Sequence, residues 1–209
     1  MDRSGHAVLA VFDFDGTLIS GDSFILFAIH AKGKAGFMRS LIRTSPYLVA
    51  WKLGLCSAGK AKEKLFRALF KGMRIVDFKS YSRTFADVLE NYVNRDVLEA
   101  MLKHKASGHC VMILSASVPE WIRPWAGRHG VTEVYGTGME IDGNGKLTGK
   151  FSTPNCRGKE KVCRLLELKP ARHTYSLWSY ADSKSDYPLL KVSDHCFRIQ
   201  NGHIARKSI

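Results

Sequence analysis

The stretch Val8-Leu9-Ala10-Val11-Phe12 places the tightest limit on what this chain can fold into: an unbroken apolar run that stops at Asp13-Phe14-Asp15-Gly16. A short apolar run without alternation, ended by a turn signal, suits a strand buried on both faces of a parallel sheet. Such a strand carries Asp13 to its carboxyl end, the edge where open α/β sheets bind ligands. Gly16 lets the chain break away where a side chain would block an approaching ligand. Two later segments repeat the pattern. Cys110-Val111-Met112-Ile113-Leu114 stops at Ser115-Ala116-Ser117, and residues 174–181 stop at Asp182-Ser183-Lys184-Ser185-Asp186. A further extended segment is expected from Val134 and a last strand over 196–199, while 139–151, around Asp142-Gly143-Asn144-Gly145, reads as a hairpin.

Between the first two strands the pattern changes. Asp22 or Ser23 can cap a helix ahead of Phe24-Ile25-Leu26-Phe27-Ala28-Ile29, and helical spacing continues at Phe37-x-x-x-Leu41-Ile42, over 48–55 after Pro46, at Leu65-Phe66-x-x-Leu69-Phe70, over 78–92 and over 97–102. After the second strand, Pro119 opens a helix that ends by Gly130, and 159–168 and the stretch from Pro188 are helical. The expected architecture is therefore α/β, a mostly parallel sheet with right-handed crossovers flanked by helices and an inserted all-helical cap. Residues 1–20 and 106–209 form the core in this reading, and 21–105 the cap.

With 209 residues, 45% hydrophobic and 24% charged, the chain can bury a core without covalent staples. Its five cysteines are odd in number and widely spaced with no C-x-x-C pair, and the eight histidines show no metal-ligand spacing, so neither a disulfide framework nor a zinc site is indicated. The four tryptophans read as packing residues. No charged-then-apolar leader precedes Val8 and no apolar stretch reaches membrane-spanning length, so a reducing, cytoplasmic setting is expected. Charge is the unusual property. Of the net +13, +10 lies between Lys32 and Arg74, where eleven Lys/Arg face one acid, Glu63.

If the sheet is parallel, the three polar strand ends open on one crevice holding Asp13, Asp15, Asp182, Asp186 and Ser115, beside a helix that begins with Lys159 and Lys161. Carboxylates packed so closely repel unless a cation offsets them. Mg²⁺ is the expected cofactor, since it binds one or two carboxylates together with phosphate oxygens. Asp13 and Asp182 are the expected direct ligands, with a backbone carbonyl near Asp15 as a third and Asp186 behind them. Asp13 is placed to attack phosphorus and form an aspartyl-phosphate. Asp15 would protonate the departing alkoxide and then deprotonate the hydrolytic water. Ser115 and one of the two lysines would hold the non-bridging oxygens, with Gly16, Thr17 and Ala116 counted in the phosphate-binding set. A halide leaves carbon without a proton whereas an alkoxide leaves phosphorus badly without one, so the second carboxylate points to phosphate ester hydrolysis.

These motifs resemble the haloacid dehalogenase (HAD) superfamily. Asp13-Phe14-Asp15-Gly16-Thr17-Leu18 matches its first motif, Ser115 its second, a lysine of Gly158-Lys159-Glu160-Lys161-Val162 its third and Asp182-x-x-x-Asp186 its fourth. A long helical insert between the first and second motifs resembles the subfamily of the phosphoserine phosphatases, which implies a Rossmann-like core, a helical-bundle cap, Asp13 as nucleophile, Asp15 as acid/base and Mg²⁺ as cofactor. Ala181 stands where that pattern usually has Gly. The string from Ser179 to Leu190, with Asn155-Cys156-x-Gly158-x-Glu160-Lys161-Val162, is instead similar to the bacterial phosphatidylglycerophosphatase C family, a comparison that favours Lys161 over Lys159. Asp22 falls where phosphoserine phosphatases place a Glu for the substrate's amino group, and the shorter side chain argues against serine as the substrate.

The expected activity is a Mg²⁺-dependent phosphatase for a small phosphorylated substrate selected by the cap. One alternative is a lipid phosphatase acting on phosphatidylglycerophosphate at a membrane surface, and another a catalytically inactive basic binding module. The basic segment, in which Phe37, Leu41, Tyr47, Leu48, Trp51 and Leu55 interleave with Arg39, Arg43 and Lys52, fits a solvated cap face, a peripheral contact with anionic lipid on the inner face of a membrane, or steering of anionic substrates. No nucleic-acid motif is present and no nucleic-acid partner is expected.

Overall fold

The computed structural model describes residues 7–205, so the outermost parts of the expected core segments, 1–6 and 206–209, lie outside the described residues. In chain order the elements are β1 (Ala7–Phe12), α1 (Ser23–Lys52), α2 (Ala58–Phe70), α3 (Ile75–Glu90), α4 (Arg95–Ala106), β2 (Cys110–Leu114), α5 (Pro119–Arg128), β3 (Glu133–Tyr135), β4 (Met139–Ile141), β5 (Leu147–Phe151), α6 (Lys159–Leu168), β6 (Tyr175–Ala181), α7 (Tyr187–Lys191), β7 (His195–Gln200) and β8 (His203–Ala205). The main sheet has the order β3-β2-β1-β6-β7-β8, and β4 and β5 form a separate antiparallel ribbon. All pairings in the main sheet are parallel except β7 with β8.

β1 is a central strand because nothing in it demands water. Ala10 and Phe12 point into one hydrophobic cluster and Leu9 and Val11 into another, on the opposite side of the sheet. Its register sets Phe12 beside Ile113 of β2 and Tyr180 of β6, which brings the carboxyl ends of all three strands to one edge. The Asp13 N–H continues the ladder for one more bond, donating to the Tyr180 carbonyl at 2.9 Å.

α1 to α4 lie between β1 and β2 in sequence. Of the three helical patterns expected over 24–55, the first is separated from the rest by a kink at Gly33, whose φ of +70° is not helical, so that α1 is two helical segments in series. Pro46 stays inside the second. Proline has no N–H to give the carbonyl four residues back, and here the Ser45 hydroxyl donates to that carbonyl, of Ile42, at 2.8 Å. Phe27 is fully buried, and its ring centroid lies 4.9 Å from that of Phe78, 5.2 Å from Phe85, 5.7 Å from Phe70 and 5.0 Å from Trp121 of α5. One aromatic cluster thus joins α1, α2 and α3 to the sheet-side helix α5. α4 makes its contacts with β2, β8 and β1, so the boundary expected at 105 falls at the end of a helix that lies on the sheet.

α4 also carries a buried imidazole. His104 bonds through Nδ1 to His109 Nδ1 at 2.8 Å and through Nε2 to the Tyr180 hydroxyl at 2.9 Å. Burial, with His109 adding to it, pushes its pKa down from 6.5 to about 4. In the window between those two values the unfolded chain binds a proton here that the folded chain refuses, so stability falls as pH drops through it. The expected loss is up to about 3 kcal/mol, complete near the lower value. Urea unfolding at a series of pH values measures it, and His104→Gln should give a shallower fall over the same range.

Candidate active site

The carboxyl ends of β1, β2 and β6 open on a cavity of about 430 Å³. Asp13, Asp15, Asp22, Ser115, Ala116, Lys161, Asp182 and Asp186 all line it, so residues far apart in the chain meet at one place. Lys161 is the hub. It is 1% exposed, and its Nζ lies 2.8 Å from Asp13 Oδ1 and 2.6 Å from Asp186 Oδ1. Lys159 stands on the exposed side of the same helix and does not line the cavity. α6 can begin where it does because Gly158 takes a φ of +64° and turns the chain into the first helical turn.

Burial works against the Lys161 ammonium, but the carboxylates of Asp13 and Asp186 outweigh it and hold its pKa above the ordinary lysine value. Asp186 is buried too, yet Lys161 and the Ser183 hydroxyl, which donates to Oδ2 at 2.6 Å, keep its pKa below the usual carboxylate range. For Asp13 burial wins over Lys161, with Asp186 and Asp15 adding repulsion, and its pKa is pushed up to about 8. Burial likewise raises Asp182, whose Oδ1 accepts a bond of 3.4 Å from Thr17 Oγ1.

Oxygens of Asp13, Asp182 and Asp186 lie within 4.8 Å of one another. With all three ionised, these carboxylates would exceed the single ammonium of Lys161, and a hard divalent cation with oxygen ligands would offset the excess and favour their ionised forms. Gly16 keeps the approach to Asp182 open: its φ is +75°, and a Cβ there would collide with the Asp182 carboxylate. The residues present therefore fit a metal of the Mg²⁺ type. Asp186 stands inside this cluster rather than behind it.

Asp15 faces a different set of neighbours. Its Oδ1 accepts from the Ser23 N–H at 2.7 Å and its Oδ2 from the Ser117 hydroxyl at 2.6 Å, and its carboxylate is not one of the three clustered above. Ser117 in turn accepts from Ser23 Oγ at 3.0 Å, and Ser23 Oγ from Trp121 Nε1 at 3.1 Å. Despite these donors, burial and the nearby Asp22 raise the pKa of Asp15. Asp22 itself caps α1, accepting from the Ile25 N–H at 3.1 Å. Ser115 is fully buried and its Oγ accepts from the Ser117 N–H at 3.0 Å.

Sequence reasoning missed Ser23, Ser117 and Lys62. The Ser115-Ala116-Ser117 string held a signal for Ser117 at a strand end, and Ser23 was read only as a cap. Lys62 had none, since it sits among Lys60, Glu63 and Lys64 in a basic helix. Its Nζ reaches from α2 across the cavity to donate to the Ala116 carbonyl at 3.0 Å, and burial lowers its pKa against the pull of Asp15 and Asp22. Beyond these groups α1 and α2 wall the cavity with Phe24, Phe37, Leu41, Leu48, Trp51 and Leu65.

Comparison with known proteins bears on the family and the fold. Protein CicA of Caulobacter vibrioides is 32% identical over 196 residues, covering 91% of this chain and 85% of that protein. A probable phosphatase of Mycobacterium tuberculosis is 27% identical over 198 residues, covering 89% of this chain and 66% of the other. The fold is shared with a substrate-bound phosphoserine phosphatase structure at a TM-score of 0.63 and 15% identity, over 91% of this chain and 84% of that one. The family model for haloacid dehalogenase-like hydrolases matches residues 10–191, nearly the whole described chain, and this protein belongs to that family.

Proposed function

We propose that this hydrolase is a Mg²⁺-dependent phosphomonoesterase that works through an aspartyl-phosphate on Asp13. The observation that carries the reading is the separation of two acids two residues apart: Asp13 lies against Lys161 in the carboxylate cluster, and Asp15 is held apart by Ser23 and Ser117. One carboxylate is thereby reserved as nucleophile and the other as proton donor, the division that alkoxide departure from phosphorus requires. The resemblance of the chain to a probable phosphatase supports the substrate class.

In this mechanism Lys161 and Ser115 receive the phosphoryl oxygens, and the backbone around Gly16 and Thr17 and at Ala116 lets them approach closely. Asp13 attacks phosphorus in line with the leaving oxygen. Asp15, its pKa raised by burial, supplies the proton that the alkoxide takes, and as carboxylate it then removes one from the water that hydrolyses the acyl phosphate. Asp13, Asp182 and Asp186 would hold Mg²⁺, which when bound supplies charge neutralisation between carboxylates and phosphate. Ser23 and Trp121 fix the Ser117 hydroxyl and so the direction of Asp15. Asp22, at the mouth of α1, and Lys62 are placed to read polar groups of the substrate, while the apolar wall from α1 and α2 receives its body. That wall favours a lipid phosphate ester as a second reading of the substrate.

Asp13→Asn should lower phosphate release from any ester at least about a thousandfold with the circular dichroism spectrum unchanged. Retained turnover would remove the nucleophile. Asp15→Asn separates the two acids by leaving group: alkyl phosphates should slow by about 10²–10⁴, and p-nitrophenyl phosphate, which leaves without a proton, far less. Equal losses on both would count against the acid role. Removing divalent ions with EDTA should abolish hydrolysis and added Mg²⁺ restore it, as read by phosphate release.

A further inference from the structure

We propose that the far end of α1 and the adjoining face of α2 form a docking surface for an anionic lipid bilayer. The proposal goes beyond the chemistry at Asp13 and rests on a part of the molecule that chemistry does not use. After its bend at Gly33, α1 has two apolar faces rather than one. The inner face supplies Phe37, Leu41, Leu48 and Trp51 to the cavity wall. Met38, Ile42 and Val49 form a second stripe on the outer side, at helical spacing, and they are 52%, 67% and 54% exposed. Just past the helix end, Leu53 and Leu55 are exposed as well, at 69% and 77%. Single exposed aliphatic residues are ordinary, but three on one helical stripe with two more at its end point to a partner.

Cations border the stripe on both sides. By helical spacing Lys34 and Lys52 flank one edge, and Arg39 and Arg43 the other. Beyond Arg43, α1 and α2 enclose a groove lined by Arg43, Tyr47, Lys64, Arg67 and Lys71, with no carboxylate in its lining. Lys64 Nζ lies over the Tyr47 ring, 5.1 Å from its centroid. Glu63, the one acid of the segment, is turned away and accepts from the Phe151 N–H at 2.9 Å. An amphipathic helix with aliphatic residues on its outer line and Lys/Arg beside them lies in a bilayer interface, where the apolar line enters the acyl boundary and the cations meet anionic headgroups. Charge selects the partner: the segment carries eleven Lys/Arg against Glu63, and the groove beside the stripe holds cations without a carboxylate, so the complementary surface is an anionic one. No described helix is long and apolar enough to cross a membrane, so the contact is peripheral.

Sedimentation of the full chain with vesicles tests the proposal without any substrate. The chain should pellet with phosphatidylcholine vesicles containing phosphatidylglycerol and not with phosphatidylcholine alone, and added salt should weaken the binding. Replacing Arg43 and Arg67 by Gln should cost roughly fivefold in affinity for each charge. The triple variant Ile42→Ser/Leu53→Ser/Leu55→Ser should lose at least about tenfold while hydrolysing p-nitrophenyl phosphate at the parent rate, because none of the three lines the cavity. Failure to pellet with the anionic vesicles, or unchanged binding by the triple variant, overturns the proposal. So does salt-sensitive binding to duplex DNA in place of vesicles. A chain that binds vesicles yet hydrolyses no phosphate ester would overturn the catalytic reading and leave the docking surface standing.

Discussion

An ammonium group buried at the edge of a parallel sheet constrains everything around it. Lys161 is 1% exposed, and a charge so placed is tolerated only when partners within hydrogen-bond distance replace the water it has lost. Those partners come from two directions. Asp13 arrives on the end of β1 and Asp186 from the loop after β6, so α6 can dock only if both strands are already in register. The same requirement brings Asp182 beside Asp13, because it follows β6 directly. The clustering of acids that remains is a property of the folded sheet.

The turn that follows β1 then explains how acids two residues apart acquire different surroundings. Phe14, between Asp13 and Asp15, is fully buried with its ring centroid 5.4 Å from that of Trp125, and this anchors the turn. Asp13 remains on the sheet edge against Lys161. Asp15 turns toward α1 and α5, where Ser23 and Ser117 hold its two oxygens. Trp121 belongs to the cluster around Phe27 and also donates to Ser23, so the packing that joins α1, α2 and α3 to α5 reaches the carboxylate through two hydroxyls. Cap packing and the orientation of Asp15 are therefore linked through named contacts.

Much of this was legible in the sequence because a strand buried on both faces leaves a plain signature, and the polar residue that ends it is forced to the functional edge. That logic alone points to Asp13, Ser115 and Asp182. Helix faces were harder to read. Spacing puts Lys159 and Lys161 in one first turn, and only the docking of α6 decides which is buried. Lys62 lies in a basic run whose members differ only in the face they present, which single-sequence reading does not resolve. Pro46 looked like a helix boundary, since proline weakens a helix locally, but α1 runs through it, whereas Gly33 does interrupt the helix with a kink. β8 was overlooked although Asn201-Gly202, with φ of +51° and +80°, is a two-residue hairpin turn of the kind that Asn-Gly favours.

The outer stripe of α1 was hidden for the same physical reason that makes it unusual. A helix with apolar residues on one side declares its buried face, and one with them on all sides is ordinarily enclosed in a core. α1 beyond Gly33 is neither. Its inner apolar line is accounted for by the cavity, and its outer line stays more than half exposed. Solvation alone explains the cations there, but it gives no reason for Ile42, Val49, Leu53 and Leu55, each more than half exposed beside them. Aliphatic side chains and cations arranged in parallel rows match an interface that is apolar below and anionic above, and a helix in that position would bring the cavity it walls close to the bilayer.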